Sequence, residues 1–420
     1  MPTATISPSS PSRASVAPLW AVLAITLVGS LGTGAVTNGV FFLAKSALNF
    51  DTAQNAQLGI LLGLTYIAGA LAIGPALLRL ARHASAISTR AVLIALHVAL
   101  GVLAATPWLI SLTSATLPGW SLVVPIAVYM PATGALWPIV ESHLAGGRRG
   151  VPLRRAIGRF NIVWSSAVAA SYWLMAPLVE SAPLTVLAGL GALHLATIPL
   201  LFALPREPRK HVDDEHEPHP LVYERLLAAV RILLPTSYLL SSTINVVLPT
   251  AVNRLAVPTE WQTPVASTYL VVRVLVFAGM ERWHGWHGRW WPVVVAAAFM
   301  LVGTALTVLS PAIAPTPSVG VALLMVGLAT FGIGMSATYC AALYYAMEVG
   351  AAEVNAGGTH EALIGIGYTL GPAGILAVSM AADRGLIDPG SRDAALALLV
   401  GVMALAAVAV AIGRGKARKV

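Results

Sequence analysis

The chain has 420 residues, 57% of them hydrophobic and only 10% charged, with a mean hydropathy of +0.80. A water-soluble domain carries about 25% charged residues, so this composition excludes an ordinary soluble protein and makes hydrocarbon the solvent for most of the surface. The net charge of +8 then reports membrane orientation rather than nucleic-acid binding, and the single cysteine, Cys340, excludes an intramolecular disulfide and a cysteine metal cluster.

Residues 1–17 are rich in Ser, Pro and Ala and read as a disordered tail. The apolar run that follows is too long for a signal-peptide core and reads as an uncleaved first span. A span needs about 20 apolar residues. The predicted spans are 18–44, 55–80, 89–113, 119–145, 157–180, 183–204, 228–254, 262–282, 291–311, 318–347, 360–382 and 391–413. The fourth and tenth look long, which predicts tilt or extension beyond the membrane. The expected architecture is an all-α membrane protein with twelve transmembrane helices in two pseudo-symmetric six-helix bundles. Its parts are a tail (1–17), an N-terminal bundle (18–204), a polar linker (205–227), a C-terminal bundle (228–413) and a basic tail (414–420).

Charge tests the count. With twelve spans, 20 of the 25 basic residues fall on the side holding both termini and the linker, against four on the other side. That bias predicts cytoplasmic termini and a cytoplasmic linker in a cell (inner) membrane. The remaining basic residue, Arg273, falls inside the eighth span.

The halves repeat faintly. Asn38 matches Asn245 and the segment Ala135–Glu141 matches Ala342–Glu348, both at an offset of 207; Thr65-Tyr66 matches Thr268-Tyr269 at 203. Two parallel six-span halves joined by a linker suit a carrier that rocks about a central site. On this layout the chain resembles the major facilitator superfamily over roughly residues 18–413. The loop after the second span, Gly74-Pro-Ala-Leu-Leu-Arg79-Leu-Ala-Arg82-His83, is a version of that family's signature without its acid. The loop after the eighth, Gly279-Met-Glu281-Arg282-Trp-His-Gly285-Trp-His-Gly288-Arg289, keeps acid, Arg and Gly in looser spacing. Glu141-Ser-His-Leu-Ala-Gly-Gly-Arg148 resembles the acid-six-Arg element of the sugar-porter branch, whose other long signatures are missing. The resemblance implies that spans 1, 4, 7 and 10, with 2, 5, 8 and 11, line a central cavity.

Arg273 carries the sharpest expectation. A cation near the midplane costs several kcal/mol unless it meets water or a partner, and a guanidinium grips a carboxylate or phosphate with two hydrogen bonds. Two readings stand: an anchor for an anionic solute, or a structural Arg bonded to neighbouring helices. All seventeen acids fall in loops or near predicted span ends, so no mid-span acid is expected to pair with it. Asn38, Tyr66, Tyr129, Thr133, Trp137, Asn161, Trp164, Asn245, Tyr269 and Tyr344 supply polar and aromatic groups for a substrate site. Glu141, Arg148, Arg159, Glu348, His360 and Glu361 are expected to form a cytoplasmic gate of ion pairs. His97 and His194 suggest proton coupling by residue type, but the resemblance puts their spans at the outside. His211, Asp213, Asp214, His216 and His219 read as a solvated linker, so no metal or cofactor is expected. The functional expectation is secondary active or facilitative transport of a small organic solute, anionic if Arg273 anchors it, by a monomer in the bilayer. H+ or Na+ is the coupling ion if there is one, and nucleic acid is not a partner. A transporter-like receptor or assembly factor, or a membrane enzyme, are the competing readings.

Overall fold

A computed structural model describes residues 15–416 except 85, 115, 149, 210–219 and 350–353. Most of the predicted N-terminal tail, the centre of the linker with its five His and Asp residues, and the last four residues lie outside the described residues.

The chain folds into helices only, among the described residues. The first crossing opens as α1 (Leu19–Gly32), passes through a π-helical turn at Thr33–Asn38 and ends as α2 (Val40–Leu48). Then come α3 (Thr52–His83), α4 (Thr89–Ser111), α5 (Trp120–Ala145), α6 (Gly150–Met175) and α7 (Pro183–Leu201). The second half holds α8 (Leu221–Arg254), the broken pair α9 (Thr259–Ala266) and α10 (Thr268–Arg282), α11 (Trp291–Ile313), α12 (Pro317–Val349), α13 (Val354–Asp383) and α14 (Arg392–Lys416). Eleven of these segments are long and apolar enough to cross a membrane. The remaining one, α6, runs 26 residues but begins with Arg154, Arg155 and Arg159.

Local chemistry sets the boundaries. Asp51 and Gln54 form a reciprocal capping box at the start of α3, with hydrogen bonds of 2.7 and 2.9 Å. Ser88 caps α4 by accepting from the Ala91 N–H at 3.2 Å. The eighth crossing, predicted as one helix, breaks just after Pro264. Pro lacks an N–H for the helix, and the Ser267 hydroxyl donates back to the Pro264 carbonyl at 2.6 Å.

The most apolar windows separate core from periphery. In α8 78% of that window is buried and in α5 67%, against 33% in α4 and in α7 and 22% in α14. The outer helices present Leu109, Val102, Leu398 and Leu405 outward, the surface that lipid accepts. Across the two halves, α3 packs along α13 and α6 along α10, while α5 also meets α13. Contacts at the end away from the linker close that side. Thr52 and Thr250 share a hydrogen bond of 3.1 Å, Lys45 Nζ donates to the Pro249 carbonyl at 3.4 Å, and Trp173 Nε1 donates to Ser267 Oγ at 3.0 Å.

Candidate functional site

A narrow void lies where the halves meet. It is lined by Thr33 of the π turn, Tyr66 on α3, Trp137 and Glu141 on α5, and Phe160 and Trp164 on α6. From the second half come Tyr238 on α8, Tyr339 on α12, and Glu361, Ile364 and Tyr368 on α13. Seven of these side chains are aromatic and two are acids; among the described residues none of the lining is cationic. The free space between them is about 290 Å³, with room for about one water molecule at a time.

The rings brace one another. Trp164 stacks on Tyr339, with centroids 5.2 Å apart and planes 10° apart. Tyr368 meets Tyr238 edge-on at 5.1 Å and Tyr66 at 5.9 Å. Such offset and edge-to-face pairs fix ring orientation as well as filling space.

Arg273 sits behind this wall rather than in it. Its guanidinium carbon lies 4.0 Å from the Trp164 ring centroid, 5.1 Å from Tyr339 and 5.5 Å from Phe277. Its Nη2 donates to the Tyr238 hydroxyl at 3.3 Å. A desolvated cation over aromatic faces gains about 2 kcal/mol or more, which answers how a buried Arg without an acid partner is held. Tyr238, missed in the sequence, is the link between Arg273 and the void.

Above the void the repeat is written into a contact. Asn245 Nδ2 donates to Asn38 Oδ1 at 2.8 Å, so residues 207 apart meet each other. Tyr269 donates to Asn245 Oδ1 at 3.1 Å, and Asn38 Nδ2 donates to the Thr33 carbonyl at 3.2 Å. The π turn brings Asn38 to this point: a Cβ on Gly34 would lie 1.9 Å from Ser171 Oγ, so only glycine lets α6 come this close.

The acids differ from expectation. Glu361 lies two turns inside α13 and is buried, and it accepts a hydrogen bond from the Tyr66 hydroxyl. Glu141 is 1% exposed, and both of its carboxylate oxygens are buried without a hydrogen-bond partner. His360 is buried beside them, and one side-chain nitrogen or oxygen from each of the three residues lies within 4.8 Å of the others. The expectation that Glu361 stands at the very start of its span is corrected: the helix begins seven residues earlier. Its cause is Gly357-Gly358, read as loop but helical. A Cβ on Gly358 would sit 2.7 Å from the Ala70 carbonyl and one on Gly357 2.8 Å from Glu141 Oε2. The two glycines let α13 start early and press against α3 and α5, which carries Glu361 inward.

Of the other sequence candidates, Tyr66, Trp137 and Trp164 line the void. Tyr129 bonds His194 Nε2 at 2.8 Å within the first half, and His194 Nδ1 lies 3.4 Å from His97 Nδ1; Thr133 donates to the Tyr129 carbonyl at 3.1 Å. These four stand away from the void. Asn161 is buried beside Cys340. Tyr344 belongs to a linker-side ring cluster with Trp286, His287, Tyr223 and Tyr345. Arg148 ties its own helix end to the chain start, donating to the Leu144 and Ala17 carbonyls, both at 2.6 Å. Arg159 is exposed and Glu348 half-buried. Glu141, His360 and Glu361 thus come together, while Arg148, Arg159 and Glu348 do not join them. Tyr339 and Tyr368 complete the lining. The small-residue run Gly365-Ile-Gly367-Tyr368 was the available signal for the latter.

No family model and no curated protein matches this chain. Solved structures do. The chain superimposes on the nucleoside transporter NupG with a TM-score of 0.62 at 15% identity, over 93% of this chain and 98% of that one. It matches the fucose:proton symporter FucP of E. coli with a TM-score of 0.55 at 14% identity, over 93% and 97% of the two chains. It matches the human organic anion transporter MFSD10 (TETRAN) with a TM-score of 0.54 at 14% identity, over 94% and 96%. FucP is itself a Major Facilitator Superfamily transporter. This chain is an integral membrane protein with the major facilitator fold.

Proposed function

We propose that this protein carries a small organic solute across the membrane by alternating exposure of the central void to the two sides. The observation that carries this reading is the void itself: both halves of the chain line it, and inter-half contacts lie at its two ends. A solute enters only if the halves part at one end, and a membrane barrier survives only if the other end stays shut. The charge bias supports a cytoplasmic linker side.

The lining favours a neutral or cationic solute with a flat face. Seven rings offer stacking surface, and Glu141, Glu361 and the tyrosine hydroxyls offer hydrogen bonds. An anionic solute is the second reading, favoured by Arg273, whose Nε is buried without a hydrogen-bond partner. For that, Arg273 must displace Tyr238. The names of the similar structures span a nucleoside, a sugar and organic anions, which supports small-solute carriage and leaves the class to experiment.

The test is counterflow in proteoliposomes with labelled nucleosides, sugars, amines and carboxylates, alongside Trp164→Ala. Uptake of one class by the wild type, reduced about tenfold or more in the variant by loss of a stacking face, is the expected result. Wild-type counterflow of none of these classes, with ligand binding intact, would favour a receptor-like role.

A further inference from the structure

We propose that Glu141 and Glu361 share a single proton, and that this proton-bridged pair is the latch joining the two halves on the linker side. The proposal rests on the alternating-access reading above.

Glu141 stands one turn from the end of α5 and Glu361 two turns into α13, so the pair spans the two halves near their linker-side ends. Both residues are buried and the carboxyl groups face each other within 4.8 Å. Among the described residues neither makes an ion pair, and the Tyr66 hydroxyl donates to Glu361. Glu141 has two buried oxygens and nothing donating to either. Two bare carboxylates at this separation repel strongly in a low dielectric. One proton removes the conflict. A protonated Glu141 donates its O–H to the Glu361 carboxylate, and Tyr66 occupies that carboxylate's other side. The bond crosses between the halves, so it holds them together. When the proton leaves to linker-side water both groups ionise, the pair repels, and that end opens.

The neighbours support a proton over a fixed counter-cation. Tyr66, Tyr238, Tyr339 and Tyr368 face the pair from α3, α8, α12 and α13, and an ordinary phenol carries no charge near neutral pH. Arg273 on α10 is held behind Tyr238, and Arg231 on α8 is exposed near His360. The sites expected to supply gating cations are engaged elsewhere or point outward: Arg148 bonds backbone carbonyls and Arg159 is exposed. His360 is a neighbour whose ordinary titration range falls near neutrality, and His143 lies buried on α5 two residues from Glu141.

The chain carries its own reporter. Cys340, the single cysteine, is buried in a linker-side pocket lined by Arg154 and Gly158 of the first half and by Glu281 and His284 of the second. Its alkylation rate in the full-length protein in nanodiscs, divided by the rate in the unfolded chain at the same pH, measures opening of that end. The ratio is expected to rise about tenfold between about pH 5.5 and about pH 8. Glu141→Gln and Glu361→Gln, in which a neutral amide donates to the remaining carboxylate, are expected to hold the ratio low at both pH values. His360→Gln is expected to keep the pH response. A wild-type ratio that does not move with pH overturns the latch. So does a response unchanged in both Gln variants. A ratio raised by chelator and lowered again by Mn2+ or Zn2+ at fixed pH also overturns it, because the three residues then hold a metal ion. Labelling needs no solute, so failed counterflow with an intact pH response would remove the transport reading and leave the latch standing.

Discussion

Two pairs of repeat-related residues behave in opposite ways. Asn38 and Asn245 lie 207 apart in sequence and bond each other directly. Glu141 and Glu348 have the same offset, yet Glu141 is buried where the halves meet while Glu348 stays half-buried at the end of α12. Tyr66 and Tyr269 split likewise: one donates to an acid of the other half, the other to an amide of its own. The repeat conserves position, and the partner decides the role. Near the axis, equivalent positions find each other and stay symmetric. Off the axis, Glu141 meets α13, where Gly357-Gly358 has made room for Glu361.

Breaking that contrast gives graded effects. Glu141→Gln is expected to lower counterflow about tenfold or more while Glu348→Gln leaves it within about twofold, since only the first removes a titrating group from the void. Rates measured side by side check this, and equal losses would make the repeat functional at both ends. Next in size, Arg273→Ala removes a cation from three ring faces and is expected to cost about 2 kcal/mol, read as a Tm several degrees lower in detergent. Arg273→Lys should recover part of it, because an ammonium keeps the charge without the flat stacking face.

Asn245→Ala removes the donor to Asn38 Oδ1 and the acceptor of the Tyr269 hydroxyl. Its expected cost is about 1 kcal/mol, since inter-helix hydrogen bonds in membranes are worth less than their burial suggests. A double-mutant cycle with Asn38→Ala should show coupling between the two, and strict additivity would mean the amides do not act as a pair. The smallest effect is at the linker-side loop between α10 and α11. Burial, with the charges of Arg154 and His284 adding to it, pushes His287 down to about 4. The unfolded chain binds that proton at an ordinary value near 6.5, so the stability His287 contributes is full above about 6.5 and is lost as pH falls toward 4. His287→Gln is expected to flatten this acid-side decline by about 1 °C, a modest size because the ring is half exposed.

The all-helical membrane fold, the two halves, the repeat and the aromatic character of the centre were legible because each rests on local composition or spacing. Tyr66, Trp137 and Trp164 were found as lining residues for the same reason. The interior acids were not legible. Glu361 follows Gly357-Gly358-Thr359, which reads as a loop by propensity, and only close packing against the Ala70 carbonyl makes it helix. Arg273 was rightly placed in mid-span, but its neighbours Trp164, Phe277 and Tyr339 come from three helices, and sequence spacing carries no signal for such a meeting. Sequence spacing likewise did not show which gate candidates meet: Glu141, His360 and Glu361 do. Arg148 lies near Glu141 in sequence yet finishes as a cap on its own helix.

The central claim is that the halves rock about the void, and distances at its two ends test it most directly. In a Cys340→Ala background, one pair of spin labels would sit at Arg155 and Arg282 on the linker side. A second pair would sit at Gln54 and Glu260 on the other; all four positions are exposed. Each pair is expected to show two distances, with the linker-side pair lengthening in the conditions where the opposite pair shortens. One fixed distance at both ends, or two distances that lengthen together, would contradict alternating access.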